Sequence, residues 1–284
     1  MTYLVTGAAG KLGAHVVDAL LDRGVAPGDI VATARDTDRL SAVAARGVGA
    51  RRLDYDDATS VDAALEGVDR VLLVSSSMVG KRVAQHRTVI ESAARHGVEL
   101  LAYTSILRAD SSSLSLATEH LQTEHILAEA GVPHVLLRNG WYLENYTDQA
   151  RTQVAQGVFG AAGSGRISAA ARADYAEAAA VALLADDSAG TVHELAGDSA
   201  FTMADYATAL SEQAGRDVAY TDLTRDEYAA VLVSAGVPAP FAETLADTDR
   251  GVAAGELYDD SRTLSTLIGR PTTTLVEAVE AALA

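Results

Sequence analysis

The 284-residue chain contains no cysteine. Disulfide bonds, zinc–thiolate sites, iron–sulfur clusters and thiol nucleophiles are therefore excluded. The sequence also lacks any apolar run long enough for a membrane span, and it enters a strand-like segment at once, without a secretory leader. These absences predict a cytoplasmic protein.

Basic residues are scarce in this chain. There are 22 lysines and arginines against 39 aspartates and glutamates, which gives a formal net charge of −17. A surface this negative repels nucleic acids and acidic membranes, so neither is an expected partner. The simplest interpretation of the acidity is solubility, but it also makes each cation beside a polyanion site significant.

The most informative stretch is Thr2–Gly13, with the sequence TYLVTGAAGKLG. A short apolar strand is followed by Gly7, Gly10 and Gly13 and then by an amphipathic helix. In this context the glycines permit a tight turn, let the backbone approach a phosphate, and let helix and strand pack closely. The helix N-terminus then presents N–H donors to the pyrophosphate of a dinucleotide. The predicted cofactor-binding residues of this turn are Gly7, Ala8, Ala9, Gly10, Lys11, Leu12 and Gly13.

The cofactor preference follows from the end of the second predicted strand, residues 29–34. Arg35 stands where NAD-specific folds place a carboxylate, and a guanidinium suits the 2′-phosphate of NADPH. Lys11 adds a second cation beside it. Asp36 is interpreted as the cap of the next helix, and the alternative for Arg35 is a solvated surface charge. The sequence thus predicts NADPH as cofactor, with weaker binding of NADH.

Three further strand ends carry candidate cofactor contacts. Asp54 follows the third strand, where it is placed to accept the adenine amino group. Ser75, Ser76 and Ser77 follow the fourth strand and Thr104 ends the fifth, at the edge where a cofactor crosses a parallel sheet. The alternative for the serines is helix capping or a flexible turn.

Six strand–helix repeats at short spacing predict an α/β protein with a Rossmann-type, doubly wound parallel sheet. The expected strand order is 3-2-1-4-5-6, with the ligand at the switch point between strands one and four. The predicted organisation is an NAD(P)-binding domain at 1–150 and a small, mostly helical substrate-side lobe at 151–284 that closes over the cofactor. A segment near 190–196 is expected to return to the sheet.

Several motifs extend over essentially the whole chain. They are TGAAGKLG, the strand ends SSS and AYTSILRAD, LLRNGWYLEN, ELAGDSAFT and the late GRPTTTL. Together they resemble the NmrA-like branch of the atypical short-chain dehydrogenases, and most of all its bacterial quinone-reducing members that lack zinc and flavin. The resemblance implies an NADPH cofactor and hydride transfer to a small-molecule quinone.

The chain departs from the wider superfamily at the catalytic pair. Typical members carry Tyr-x-x-x-Lys on the helix after strand five, where tyrosine is the general acid. Aligning a downstream glutamate on Glu124 puts Leu116 at the tyrosine position and His120 at the lysine position. Ketone reduction is therefore not expected, whereas a quinone yields a weakly basic hydroquinone anion and needs positioning more than an acid. His120 either contacts the ribose or a substrate oxygen, or is a partly buried histidine paired with Glu124.

The remaining candidates lie near the end of the sixth strand and beyond the next glycine-rich segment. Flat, electron-poor rings stack on aromatic side chains, and the single tryptophan is found here. The catalytic candidates are His120, Tyr142 and Asn139, and the substrate-binding candidates are Trp141, Tyr142 and Asn145. The cofactor-binding candidates from the same region are Asn139, Gly140, Trp141 and Arg172. Alternatively, Trp141 packs within the lobe and Arg172 is an ordinary surface arginine.

Two functions remain compatible with the missing tyrosine and lysine. The first is an NADPH-dependent quinone reductase, and the second is an NmrA-type redox sensor that binds the dinucleotide without turnover. The full-length resemblance favours the enzyme, and no partner-binding tail is visible to favour the sensor. The oligomeric state stays open, with a homodimer as one option.

Overall fold

The computed structural model describes all residues from 1 to 284. They form nine strands and thirteen α-helices, together with two short 3-10 turns at 27–29 and 37–40. The strands are β1 Tyr3–Val5, β2 Ile30–Ala34, β3 Gly49–Arg52, β4 Arg70–Leu73, β5 Leu100–Ile106, β6 His134–Asn139, β7 Val158–Gly160, β8 Val192–Leu195 and β9 Tyr220–Asp222. The helices are α1 Lys11–Asp22, α2 Ser41–Ala44, α3 Ala58–Leu65, α4 Arg82–His96, α5 Ser115–Ala130, α6 Glu144–Thr147, α7 Ala150–Gln156, α8 Arg172–Leu184, α9 Met203–Ala214, α10 Arg225–Ser234, α11 Ala239–Ala253, α12 Thr263–Ile268 and α13 Leu275–Leu283.

Seven strands form one sheet in the order β3-β2-β1-β4-β5-β6-β8. The five pairings from β3 to β6 are parallel. At the β6 edge, Leu136 donates to the Thr191 carbonyl at 3.0 Å and Gly140 to the Leu195 carbonyl at 2.7 Å, so β8 also runs parallel. The predicted Rossmann-type fold is confirmed: β1 to β3 are added toward one edge of the sheet and β4 to β6 toward the other, so the switch point lies between β1 and β4. In such sheets ligands bind at the carboxyl ends of the strands beside that switch point.

The central strands are apolar because helices cover both faces of a parallel sheet. Every residue of β4 and β5 is buried, whereas the edge strand β3 alternates between half-buried and exposed residues. Leu4, Leu73, Leu101 and Leu136 belong to one buried cluster with side chains of α3, α4 and α5. This packing holds the strand ends, and hence the candidate site, in fixed positions.

The chain divides into two compact units that interleave along the sequence. The first unit comprises 1–109, 118–139 and 172–194, and the second comprises 110–117, 140–171 and 195–284. The predicted functional boundary at residue 150 stays a prediction. In spatial terms, α8 and most of β8 belong with the sheet, although they follow residue 150 by more than twenty residues.

The second unit is mostly helical, and three of its helices begin behind a threonine that caps them. Thr202, Thr224 and Thr274 each form a capping box with an acidic residue three positions later. These boxes make Met203, Arg225 and Leu275 the first residues of their helices. The helix expected after Asp36 is only partly α-helical, because 37–40 is a 3-10 turn and the α-helix is confined to Ser41–Ala44.

None of the helices combines the length and the apolar character that crossing a bilayer requires.

Candidate active site

The glycine turn connects β1 to α1 and is built as the sequence predicts. Gly7 has a φ of +59°, which favours glycine, and its carbonyl accepts the Gly10 N–H at 2.8 Å. A Cβ at Gly13 would lie 2.5 Å from the Gly7 oxygen, so only glycine fits there. The N-cap of α1 is Gly10, which supplies no side-chain cap to the first turn. A helix start without a capping side chain is the arrangement that binds a phosphate through backbone N–H groups.

Two arginines follow β2, at the strand end where the adenine ribose is expected to bind. Arg35 follows the strand and is exposed, and Asp36 caps the 3-10 turn by accepting the Asp38 N–H at 3.0 Å, as predicted. Arg39 was missed by the sequence interpretation, which placed it in a regular helix. The 3-10 turn instead brings its guanidinium back to the glycine turn, where Nη2 donates to the Ala9 carbonyl at 3.1 Å. The only sequence signal for Arg39 was its short separation from Arg35.

The carboxylate of Asp54 lies just after the end of β3. One of its oxygens accepts the Asp56 N–H at 3.2 Å, and the other lies 3.9 Å from Arg52. Asp57 instead caps α3 through the Thr59 and Ser60 N–H groups. Contact between Asp54 and the adenine amino group stays a prediction.

The three serines after β4 differ in their surroundings. Ser75 donates its N–H to Thr104 Oγ1 at 2.8 Å, which ties the ends of β4 and β5 together. Ser76 is buried, and its hydroxyl donates to Gln85 Oε1 at 2.5 Å, whereas Ser77 is exposed. The capping alternative is wrong, because α4 begins behind Lys81 with no side-chain cap. Cofactor contacts by these serines and Thr104 stay predictions.

His86 is a buried histidine whose tautomer is fixed by its neighbours. The Ser76 N–H donates to Nε2 at 2.9 Å, so the ring proton must be on Nδ1, which lies 3.0 Å from Thr123 Oγ1. Burial and then the charge of Arg82 lower its pKa to about 3. His86 is therefore neutral and holds the serine turn against α5.

His120 lies against Tyr103, so the alternative in which it pairs with Glu124 is wrong. Its Nδ1 lies 2.8 Å from the hydroxyl of Tyr103, a fully buried residue of β5. Burial first, and then the charges of Arg82 and His86, hold the pKa of His120 well below its usual value. The imidazole is thus neutral at pH 7, so it can form hydrogen bonds but carries no acidic imidazolium proton.

Glu124 pairs with Arg138 instead, because α5 packs beside β6. The guanidinium donates to both carboxylate oxygens, from Nε at 3.0 Å and Nη2 at 2.7 Å, and Ser105 adds a hydrogen bond at 2.5 Å. Arg138 Nη1 reaches Glu194 at 2.9 Å, and the second oxygen of Glu194 accepts the Arg108 N–H at 2.8 Å. Glu124 and Arg138 are both buried. This network fixes the carboxyl ends of β5, β6 and β8, and sequence reasoning missed it.

Asn139 ends β6 and is 5% exposed. Its backbone carbonyl accepts the Leu107 N–H at 2.8 Å, but its side-chain Oδ1 has no partner in the protein. A buried acceptor without a donor is unfavourable by about 1–3 kcal/mol. The glycine turn, the cations at the ribose end and this unsatisfied acceptor therefore all suit a dinucleotide cofactor.

The segment after Asn139 belongs to the second unit. Trp141 and Tyr142 are half-buried and Asn145 is exposed. Ala170 donates to the Trp141 carbonyl at 3.1 Å, and Gly140 donates to the carbonyl at the end of β8. These bonds fix the backbone from which the aromatic side chains project, while the catalytic, cofactor and substrate roles of these residues stay predictions.

Arg172 is half-buried and is the first residue of α8, in the first unit, and its predicted cofactor contact stays a prediction. A surface cavity of about 500 Å³ lies within the second unit, with Glu144, Arg151 and Glu277 on its wall. None of the predicted site residues lines it, so we assign it no part in the candidate site.

Comparison with known proteins gives a consistent result over the full chain. The chain is 49% identical to quinone oxidoreductase 2 of Escherichia coli (strain K12) over 276 residues, covering 97% of this chain and 96% of that one. A crystal structure of the NADPH-dependent quinone oxidoreductase of Escherichia coli complexed with NADPH matches with a TM-score of 0.96, 46% identity and full coverage of both chains. The triphenylmethane reductase of Citrobacter sp. complexed with NADP(H) matches with a TM-score of 0.94 and 32% identity, over 99% of this chain and 100% of that one. The NmrA-like family model matches residues 1–280, and the chain belongs to the NmrA-like family.

Proposed function

We propose that this protein is an NADPH-dependent oxidoreductase that transfers hydride to a quinone. The observation that carries the proposal is the full-length similarity to an NADPH-bound quinone oxidoreductase, together with a glycine turn suited to the same cofactor. One quinone, one NADPH and one proton give one hydroquinone and one NADP⁺. The cofactor supplies the hydride, and the protein supplies position and orientation.

The residues at the superfamily's catalytic positions support a quinone as acceptor. Leu116 has no proton to give, and His120 is neutral and buried against Tyr103. An alkoxide formed from a ketone requires a proton at once, whereas a hydroquinone anion is stable enough to wait for one from solvent. Catalysis then rests on holding the acceptor against the hydride donor. The same residues would suit a non-catalytic sensor, but nothing in the structure favours that alternative.

The test of the function is a comparison of acceptors. We expect NADPH consumption with 1,4-benzoquinone and 2-methyl-1,4-naphthoquinone, and negligible consumption with acetone or cyclohexanone, because only the quinones give a stabilised anion. The loss of absorbance at 340 nm, a property of the reduced nicotinamide, measures both. Tight NADPH binding without turnover of any quinone would support the sensor, and rapid ketone reduction would mean that an acid is present at the site.

The cofactor preference gives a second prediction. Arg35→Ala should weaken NADPH binding by about tenfold or more and leave NADH nearly unchanged, because one charge-assisted contact to a phosphate contributes about 1.5–3 kcal/mol. Arg39→Ala should have a smaller effect in the same direction, since its guanidinium already binds the Ala9 carbonyl. Calorimetric titration with both cofactors measures the effects.

The matched control for these arginines is Arg87→Ala, which removes an exposed cation of α4 that pairs only with Glu91. It should leave both affinities unchanged. Equal wild-type affinities for NADPH and NADH would contradict the assignment of Arg35.

His120→Ala gives a third prediction. We expect kcat/KM for a quinone to fall by less than the roughly 10²–10⁴-fold that removal of a general acid causes. Because its pKa lies well below 6.5, His120 stays neutral from pH 6 to pH 8 and contributes no limb to the pH profile in that range. A wild-type limb near pH 6.5 that disappears in His120→Ala would instead identify it as an acid.

We also propose a cellular location for the reaction and a measurement of the oligomeric state. NADPH is an intracellular reductant, so we place the reaction in the cytoplasm, and the net charge of −17 argues against a nucleic-acid partner. Light scattering after gel filtration would distinguish a monomer from the homodimer that the sequence leaves open.

A further inference from the structure

A short segment follows β4 at the sheet edge where the dinucleotide is proposed to bind. We call this segment, residues 76–80, the strap; its first residue is buried and the other four are exposed. Just before it, the Val74 N–H donates to Thr6 Oγ1 at 2.8 Å, and a Cβ on Gly7 would lie 3.9 Å from the Val74 Cβ. The strap therefore begins beside the glycine turn, and both belong to the first unit.

Two charged side chains from different helices hold the two ends of the strap. Arg82, the first residue of α4, is 6% exposed and donates from Nε to the Ser76 carbonyl at 2.7 Å. Glu119 of α5 accepts the Gly80 N–H at Oε1, at a distance of 2.8 Å. Each end of the strap is thus fixed by a charge-assisted hydrogen bond. We call this pair of side chains the clamp.

The clamp lacks the bond that would join its own two members. Arg82 Nη1 and Glu119 Oε2 are both buried without a hydrogen-bond partner, and they lie 3.7 Å apart. A buried donor or acceptor of a charged group is unfavourable when it has no partner. A movement of about 1 Å would bring the two atoms to the usual distance of a charge-assisted hydrogen bond. Because the same side chains hold Ser76 and Gly80, that movement would carry the strap with it.

The strap contains a flexible residue and two uncovered apolar side chains. Gly80 has a φ of +87°, and a Cβ there would meet no atom within 4 Å, so this residue has both the conformational freedom and the space to move. Met78 and Val79 are 45% and 54% exposed, and they are the only large exposed apolar residues that are adjacent in the chain. Covering these two side chains would be favourable.

We infer that the strap is a lid that closes on the bound dinucleotide, with Arg82 and Glu119 as its positioning residues. Closure joins Arg82 Nη1 to Glu119 Oε2 and brings Met78 and Val79 against the cofactor. The inference rests on the proposed NADPH-dependent function, and it identifies the part of the chain that retains the cofactor. Arg82 and Glu119 act through the strap and not by contact with the reacting atoms.

The three methionines of the chain provide the measurement. Hydrogen peroxide oxidises an accessible methionine to its sulfoxide, which mass spectrometry of peptides quantifies. Met78 reports on the strap, Met1 is 53% exposed and serves as the internal standard, and Met203 is only 3% exposed. With saturating NADP⁺ we expect the oxidation rate of Met78 to fall about fivefold or more, while that of Met1 stays within about a factor of two.

Variants of Glu119 separate closure of the strap from simple coverage of Met78 by the cofactor. Glu119→Ala should weaken NADP⁺ binding by about tenfold and, at equal NADP⁺ occupancy, lose most of the protection of Met78. Without NADP⁺ its Met78 should oxidise at the wild-type rate, because that side chain is already exposed. Glu119→Gln keeps an oxygen for the Gly80 N–H but turns an amide N–H toward Arg82, so protection should again be lost. Glu129→Ala, which removes an exposed carboxylate of the same helix, is the control and should change neither quantity.

A glycine variant tests the strap independently of the clamp. Gly80→Ala disfavours the left-handed conformation in which the Gly80 N–H reaches Glu119, so NADP⁺ affinity and the protection of Met78 should both fall severalfold. Gly24→Ala is the matched control, because Gly24 is exposed, has a φ of +86° and would also place a Cβ in open space. It should leave both quantities unchanged. Circular dichroism checks that each variant folds, and if Glu119→Ala does not, Gly80→Ala still decides.

The outcomes separate the inference from the function. If Met78 oxidises equally fast with and without bound NADP⁺, or if its protection survives in Glu119→Ala, the inference is overturned, while turnover of a quinone with NADPH would still support quinone reduction. Protection that depends on Glu119, in a protein that binds NADP⁺ but reduces no quinone, would support the lid and overturn the proposed function.

Discussion

Gly10→Val is expected to abolish measurable NADPH binding while the protein stays folded. A branched side chain at this position would stand where the pyrophosphate must approach the start of α1, and its Cβ would already lie 3.1 Å from the Gly7 oxygen. Gly10 has a φ of −89°, which valine adopts without strain, so the fold should survive. Losing two or three charge-assisted contacts to phosphate weakens binding by about 10²-fold or more. Calorimetric titration measures the binding, and circular dichroism checks the fold.

Two further glycines make this experiment specific. Gly13→Val should lose the fold as well, because the new Cβ would lie 2.5 Å from the Gly7 oxygen and 2.9 Å from the Ala8 Cα, both parts of the rigid turn. Gly28→Val is the control, since a Cβ there meets no atom within 4 Å and the residue is exposed. If the NADPH affinity of Gly10→Val stays within a factor of two of wild type, the cofactor does not bind at this turn.

Glu124→Ala is expected to lower the free energy of unfolding by about 3–5 kcal/mol. The change would remove the carboxylate that accepts from Nε and Nη2 of the Arg138 guanidinium, which is 8% exposed and keeps only the more exposed Glu194 as a charge partner among its ion pairs. Breaking a buried ion pair from one side is strongly destabilising because the remaining charge stays desolvated. Urea denaturation followed by circular dichroism measures the loss.

A second variant distinguishes an unpaired charge from a simple loss of packing. The double change Glu124→Leu with Arg138→Met removes both charges and should recover most of the stability, as apolar replacements of buried pairs often do. Glu91→Ala, which breaks an exposed pair on α4, should stay within about 0.5 kcal/mol of wild type. A loss of under 1 kcal/mol for Glu124→Ala would show that water reaches Arg138.

The sequence was most informative where local pattern and chemistry agree. The apolar runs of β4 and β5, the glycine turn and the threonine caps of α9 and α10 are each determined by residues close in the chain. That is why the sheet order could be predicted from spacing alone. The 3-10 turn at 37–40 could not be predicted, because nothing in the local sequence distinguishes it from the first turn of an α-helix. For the same reason the position of the Arg39 side chain could not be predicted.

The partners of charged groups were the part that could not be predicted. Glu124 and His120 are one helical turn apart, and local reasoning pairs them. In the fold, a cation on β6 competes for Glu124, and the hydroxyl of Tyr103 on β5 lies against His120. Arg138 and Glu194 are separated by 56 residues. Such contacts depend on which side chains of neighbouring elements face one another, and the sheet order alone does not determine that.

The interleaving of the two units has a consequence for any attempt to cut the protein in two. Arg70 of β4 is buried and donates to the carbonyls of Leu183 and Ala185 at 2.7 Å and 3.1 Å, and to Asp186. A fragment ending at residue 150 would keep Arg70 and Arg138 but lack every one of those acceptors, as well as Glu194. During synthesis, too, the buried arginines of the sheet have all of these acceptors only after residue 194 has been added to the chain. A transplantable cofactor-binding module would therefore need residues 172–194 supplied with it, joined by a linker or added as a separate peptide.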